Sequence, residues 1–276
     1  MVALGSFFKD GDRPVDLVGW LIKDGYIFDY LMSVAALLIN TLVPTGKLKT
    51  VQRYMVPNDT DTAYPYKDST ISNAVLYILS ILFPFVVFLV GLGFNRRLIV
   101  FHHALLSLLE GWALTTGFKQ WMNLVGRYRP DFQDRLARGD SSEIDDGHNS
   151  YPSGHAAYMF VAMTIIAWYL ISLTGVLARP ARFNFPLALV CISPLVLSTF
   201  VAVTRPADHK HHFSDINAGS FIGLACGTFA FLLNFHSPLD EHRCGEPKLR
   251  GADPAGDPAA GKQEPMAERP LQRDEA

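Results

Sequence analysis

Three clusters in this sequence combine residue types that can handle a phosphate-like anion. The first is Gly126-Arg127-Tyr128-Arg129-Pro130-Asp131, and the second is Tyr151-Pro152-Ser153-Gly154-His155. The third is Thr204-Arg205, followed by Asp208, Lys210, His211, His212 and Asp215. Hydrolysis of a phosphate ester needs fixed positive groups around the phosphoryl oxygens, a nucleophile in line, and a proton for the leaving group. Arg129 and Arg205 offer planar forks of N–H donors that match phosphate geometry. Ser153 and the backbone N–H groups of Gly154 and His155 open a helix, whose N-terminus favours an anion. His211 and His155 can divide the roles of nucleophile and general acid. Asp215 lies four residues after His211; if both occupy the first helical turn, the carboxylate can accept a hydrogen bond from the ring and hold its tautomer. The sequence has no HExxH, no carboxylate-rich cage and no GxxxxGK[ST] loop, so this chemistry calls for no metal and no other cofactor.

The elements that must position these clusters are apolar and long. Spanning about 30 Å of hydrocarbon takes roughly 20 mostly apolar residues, and six segments approach that: 25–44, 74–94, 98–118, 156–177, 185–203 and 216–235. Charged residues make up 18% of the 276, against about a quarter in a typical soluble domain, and the mean hydropathy is positive. Pro84 and Pro194 sit inside spans, which is tolerated where neighbours satisfy the freed carbonyls. Gly219, Gly223 and Gly227 recur every fourth residue and predict close helix packing. With six spans both termini share one side, so the 45–73, 119–155 and 204–215 loops share the other and the clusters can meet. Isolated Arg or His side chains at a membrane boundary commonly snorkel to headgroups or set topology, and Arg127 is read that way.

Other features narrow the class. The net charge of −2 and the absence of a basic stripe speak against nucleic acid as a partner. Cys191, Cys226 and Cys244 form no CxxC pair, so neither a zinc site nor a disulfide framework is indicated. Lys9, Asp10, Asp12, Arg13 and Asp16 precede the first apolar run, which lacks a small-residue cleavage site and is expected to stay as a span. Arg96, Arg97, Arg179 and Arg182 in the short loops favour a cytosolic position for those loops. The expected organisation is a cytosolic segment 1–24, a six-span domain 25–236 with active-site loops 119–155 and 204–215, and a disordered cytosolic tail 237–276. Asn58-Asp59-Thr60 fits a glycosylation sequon on the opposite face.

At these clusters the chain resembles the type 2 phosphatidic acid phosphatases, or lipid phosphate phosphatases, and within them the fungal diacylglycerol pyrophosphate phosphatase group. The family signature is Lys, six residues, Arg-Pro; then Pro-Ser-Gly-His; then Ser-Arg, five residues, His, three residues, Asp. Residues 152–155 match the second part, and Arg205, His211 and Asp215 match the third with Thr204 in place of Ser. Arg129-Pro130 match the end of the first, and Tyr64-Pro65-Tyr66-Lys67 also fits. The resemblance covers roughly residues 25–236. It implies an all-α, six-transmembrane bundle of the phosphatidic acid phosphatase/haloperoxidase kind, integral to a vacuolar, plasma or other endomembrane, with a lumenal or extracellular site.

The resemblance also implies roles. His211 would form a phosphohistidine, Asp215 would orient it, and His155 would protonate the leaving group and later activate water. Arg129, Arg205, Ser153 and Gly154 would hold the phosphoryl oxygens of a phospholipid: phosphatidate, lysophosphatidate or diacylglycerol pyrophosphate. One position departs from the signature. The family lysine falls at Met122, which cannot donate to phosphate, while Lys119 lies one helical turn earlier on a similar face. The expectation is therefore reduced activity, with Lys119 as a partial stand-in. The alternatives are a catalytically weak lipid-phosphate binder, regulator or transporter, and a phosphatase for sphingoid or polyisoprenyl phosphates.

Overall fold

A computed structural model describes residues 9–10, 13–14, 17–46, 48, 50–51, 53–56, 59–179 and 182–250. Asn58 of the sequon and residues 251–276 lie outside the described residues. A two-residue antiparallel ladder, β1 (Lys9–Asp10) with β2 (Arg13–Pro14), precedes a short helix α1 (Leu17–Lys23). Six longer elements follow, each long and apolar enough to cross a membrane. They are α2 (Tyr26–Gly46), the composite span Asn73–Asn95, α5 (Leu98–Asn123), α8 (Gly154–Thr174), α9 (Asn184–Ala207) and α10 (Phe213–Asn234). The composite span consists of α3 (Asn73–Tyr77), a π turn (Ile78–Leu82) and α4 (Phe83–Asn95). The fold is the expected all-helical six-span bundle.

Two spans run further than their apolar pattern predicts. The segments expected to end at 118 and 203 continue to Asn123 and Ala207, so Lys119 and Thr204-Arg205 stand on helices rather than in loops. The polar side chains there face a cavity instead of lipid, which hydropathy cannot register. The 119–155 link is itself partly helical, with α6 (Phe132–Arg138) and α7 (Ser141–Gly147). Pro84 and Pro194 each take a helical donor from the carbonyl four residues earlier, and a side chain supplies one. Trp112 Nε1 donates to Ser80 O at 3.1 Å opposite Pro84, and Ser193 Oγ donates to Val190 O at 2.8 Å opposite Pro194.

The core lies where α8 is wrapped by α5, α9 and α10, and α2 packs on the outside of α5. Met159, Val161, Met163, Ile165 and Ile166 of α8 are buried there, whereas Phe28, Leu31, Phe94, Phe185 and Phe221 point outward. An apolar exterior around a polar-capped bundle is what a hydrocarbon solvent permits. The close packing expected from Gly219, Gly223 and Gly227 is present: a Cβ at these positions would strike the carbonyl oxygens of Ser153, Ala157 and Val161 respectively. The α10 backbone therefore lies directly on α8, and Ser153 N donates to Asp215 O at 3.0 Å. This contact brings the second and third sequence clusters together.

The end of the bundle opposite those clusters is closed by residues 235–250. His236 N donates to Glu246 O at 3.0 Å and Lys248 N to Asn234 O at 2.8 Å, folding the chain back on itself. Arg97 grips Glu246 with two bonds of 2.9 Å. The first part of the segment expected to be a disordered tail is thus packed onto the bundle.

Candidate active site

The C-terminal ends of α5 and α9 meet the N-terminal ends of α8 and α10 around a cavity of about 1030 Å³. Lys119, Arg129, Gly154, His155, Arg205 and His211 line it. Ser153 and Asp215, both fully buried, stand behind its wall. Ser153 is the N-cap of α8, its hydroxyl accepting from Ala156 N at 3.4 Å. In this arrangement the hydroxyl expected to face phosphate terminates the helix, and the adjacent Gly154 contributes the open surface. At Gly154 an added Cβ would come 3.2 Å from Lys119 Cε.

His211 immediately precedes the N-cap of α10, His212. The expected direct bond from Asp215 to the His211 ring is replaced by another arrangement. His211 Nδ1 lies 2.7 Å from Ser150 O, while Asp215 Oδ2 is 3.9 Å away. A carbonyl accepts only from a protonated nitrogen, so the proton resides on Nδ1 and Nε2 keeps its lone pair. Asp215 is the third residue of α10, and its Oδ2 accepts from His212 N at 2.9 Å in a capping box. The same oxygen accepts from Ser150 Oγ at 2.6 Å, and Oδ1 accepts from Arg127 Nη1 at 2.7 Å. Arg127, expected at the headgroups, is the counter-ion of this buried carboxylate.

Each cavity arginine is held from behind by an aspartate. Arg129 Nη2 meets Asp146 Oδ1 at 2.8 Å and its Nε donates to Asp146 O at 3.1 Å. Arg205 Nη2 meets Asp208 Oδ2 at 2.8 Å, and its Nε donates to Thr204 Oγ1 at 3.0 Å. Thr204 Oγ1 donates onward to Val201 O at 2.7 Å, so the hydroxyl shared by Ser and Thr aligns the guanidinium. A guanidinium carries five donors, and these contacts leave others for an anion. Lys119 also enters the cavity. With the Asn123 amide turned to suit its neighbours, Lys119 Nζ donates to its oxygen at 2.7 Å and the amide donates to Tyr151 O at 2.9 Å. Met122 takes no part. It packs against the apolar core and lines a separate groove between α2, α5 and α10.

The 59–72 segment roofs the site. Ile71 O lies 3.0 Å from His155 Nε2, which places the proton of neutral His155 on Nε2 and leaves Nδ1 to gain and lose one. Thr70 bonds Asp208 through N at 2.8 Å and Oγ1 at 2.7 Å, and His209 Nδ1 bonds Pro65 O at 2.9 Å. Lys210 pairs with Asp131 at 3.0 Å and lies 3.5 Å from the centroid of the Tyr66 ring. Burial first, and the Arg129 charge second, hold His211 well below the ordinary histidine pKa. Both act against imidazolium and favour the neutral ring. Burial is also the main influence lowering the Arg129 pKa, opposed by Asp146.

Several of these partners were given no role from the sequence. Asp208, a member of the third cluster, had a usable signal, three residues after Arg205 on one helical face. Asp146, Ser150 and Ile71 had none, because their links to the site cross 17, 61 and 84 residues of chain. Among the described residues, no three His, Cys, Asp or Glu side chains are grouped to hold a metal ion.

Residues 101–238 match the PAP2 superfamily. A Dictyostelium discoideum PA-phosphatase related-family protein is 34% identical over 238 residues, covering 84% of this chain and 87% of its own. Lipid phosphate phosphatase 2 of Arabidopsis thaliana is 30% identical over 227 residues, 76% of each chain. Diacylglycerol pyrophosphate phosphatase 1 of Saccharomyces cerevisiae is 24% identical over 249 residues, covering 82% of this chain and 84% of its own. No solved structure matches.

Proposed function

The chain belongs to the PAP2 superfamily, and we propose that it hydrolyses lipid phosphates, as monoesters or pyrophosphates, through a phosphohistidine and without a metal. One observation carries the lipid assignment. The cavity that holds Arg129, His155, Arg205 and His211 continues to Pro44, Leu48, Leu76 and Tyr77, between the end of α2 and the start of α3. A headgroup can occupy the charged end while its acyl chains remain among apolar side chains at the bilayer boundary.

The residues divide the work as follows. Arg129, Arg205, Lys119 and the Gly154 N–H neutralise the phosphoryl oxygens. His211 Nε2 attacks phosphorus in line, and the P–O bond to the lipid breaks as His155 protonates the departing oxygen. His155 then takes a proton from water, which attacks the phosphohistidine, breaks the P–N bond and releases inorganic phosphate. Arg96, Arg97, Arg179 and Arg182 lie at the other end of the bundle, and arginines in such short links between spans favour the cytosolic side. The site accordingly faces a lumen or the cell exterior.

The test is phosphate release by purified, detergent-solubilised protein in the presence of EDTA. Phosphatidate, diacylglycerol pyrophosphate and a soluble phosphate ester are compared, each beside His211→Ala. Release that survives EDTA and disappears in His211→Ala is the expected result, and the substrate ranking names the headgroup. Loss of release in EDTA that added metal restores would overturn the metal-free mechanism. A folded protein that binds these lipids but releases nothing would instead be a lipid-phosphate binder.

A further inference from the structure

We propose that Ser150 is a positioning residue that couples Asp215 to the His211 imidazole, an inference that rests on the histidine mechanism above. Ser150 is fully buried and makes two bonds with opposite ends of the same residue. Its backbone oxygen receives the His211 Nδ1 proton at 2.7 Å. Its hydroxyl donates to Asp215 Oδ2 at 2.6 Å. Asp215 lies 3.9 Å from the ring nitrogen, too far for a hydrogen bond, so its hold on the ring passes through the serine. The carboxylate is itself immobilised, with Oδ1 on Arg127 at 2.7 Å and Oδ2 on the first turn of α10. Arg127 Nη1 also reaches Ser214 Oγ at 2.5 Å, and Ser150 N donates to Arg127 O at 3.1 Å. A closed ring of contacts therefore joins Ser150, Asp215 and Arg127 behind the nucleophile.

This arrangement has a chemical consequence. A carbonyl, unlike a carboxylate, cannot take the Nδ1 proton, so the ring keeps one tautomer throughout attack. As Nε2 bonds to phosphorus the ring gains positive charge, which the nearby Asp215 carboxylate stabilises without becoming protonated. Removing the Ser150 hydroxyl frees both the peptide carrying that carbonyl and the carboxylate behind it. The ring then loses its fixed aim, while the groups that bind phosphate are untouched. The loss belongs in kcat rather than in KM.

The experiment uses full-length protein in detergent, with phosphatidate as substrate and thermal midpoints recorded for every variant. Ser150→Ala is expected to lower kcat about 10- to 100-fold, the rate equivalent of one hydrogen bond to a charged group, with KM and inhibition by inorganic phosphate unchanged. Ser150→Cys, which keeps only a weak donor, is expected to fall between; it also serves if Ser150→Ala folds poorly. Because Asp215 aims the ring only through Ser150, the double variant Ser150→Ala/Asp215→Asn should be no slower than the slower single variant. Losses that multiply, or a folded Ser150→Ala or Ser150→Cys protein with wild-type kcat, would overturn the coupling. His211→Ala is run alongside: if it stays active the histidine mechanism and the coupling fall together, and if it is inactive a Ser150 failure condemns the coupling alone.

Discussion

Lys119 and Met122 are three residues apart on one helix, yet their side chains meet different surroundings. Lys119 reaches the arginine-lined cavity beside Gly154, and Met122 lines the apolar groove on another face of α5. The expectation that Met122 limits the enzyme therefore gives way to a different one. Lys119→Met should lower kcat/KM on phosphatidate about 10- to 100-fold, and Met122→Lys should bring no gain, because its charge enters a groove that phosphate does not share. Steady-state kinetics on the two variants decide this. His211 offers a pH test. Its pKa is depressed, so the neutral form persists as pH falls, and protonation sets in only below the ordinary value of 6.5. The acid limb of kcat/KM should accordingly lie below pH 6.5. Arg129→Gln removes one cation that opposes imidazolium and should move that limb upward while lowering activity.

Among the elements, the contact of α10 with α8 decides whether His155 and His211 face one another. It depends on Gly219, where any Cβ would press on the Ser153 carbonyl, a backbone atom that cannot step aside. Gly219→Ala should separate the helices just where the site is built. Activity should fall by more than tenfold, since displacements near 1 Å at reacting groups cost on the order of a hundredfold. Gly93→Ala is the control, because a Cβ there meets nothing within 4 Å. Phosphate release and thermal midpoints on both variants separate a local effect of α10 packing from a general effect of adding a methyl group. The 59–72 roof is the second positioning element. Its bonds to His155, Asp208 and His209 join it to the segments that carry His155 and His211.

The whole molecule separates two ends with different tasks. At the site end the cavity opens between α2 and α3, where exposed Thr45 forms part of its lining. Thr45→Trp should obstruct acyl chains and lower turnover of phosphatidate on the order of tenfold, while a soluble ester loses little. The ratio of the two rates is the measurement. At the far end, the Arg97–Glu246 pair is more than a third exposed on both side chains. Glu246→Ala should therefore cost about 0.2–1 kcal/mol and leave kcat unchanged, because a solvated ion pair contributes little to stability. A melting curve beside an activity assay checks both statements.

Much of this protein was legible along the chain. Hydropathy identified six spans, parity brought the polar links to one side, and His155, Arg129, Arg205 and His211 stood out by type and spacing. These properties are local: apolar length specifies a span, and a motif stores its chemistry in consecutive residues. What only the tertiary structure decided depends on how helices rotate against one another and where distant loops settle. Helical spacing places Lys119 and Met122 within one turn, but packing determines which one enters the arginine-lined cavity. Spacing also allows Asp215 to reach His211, yet the capping box and Arg127 draw the carboxylate aside and Ser150 fills the gap. The roof over His155 and the strap onto Arg97 join residues far apart in sequence, and such contacts are set by burial and hydrogen-bond satisfaction in the folded bundle.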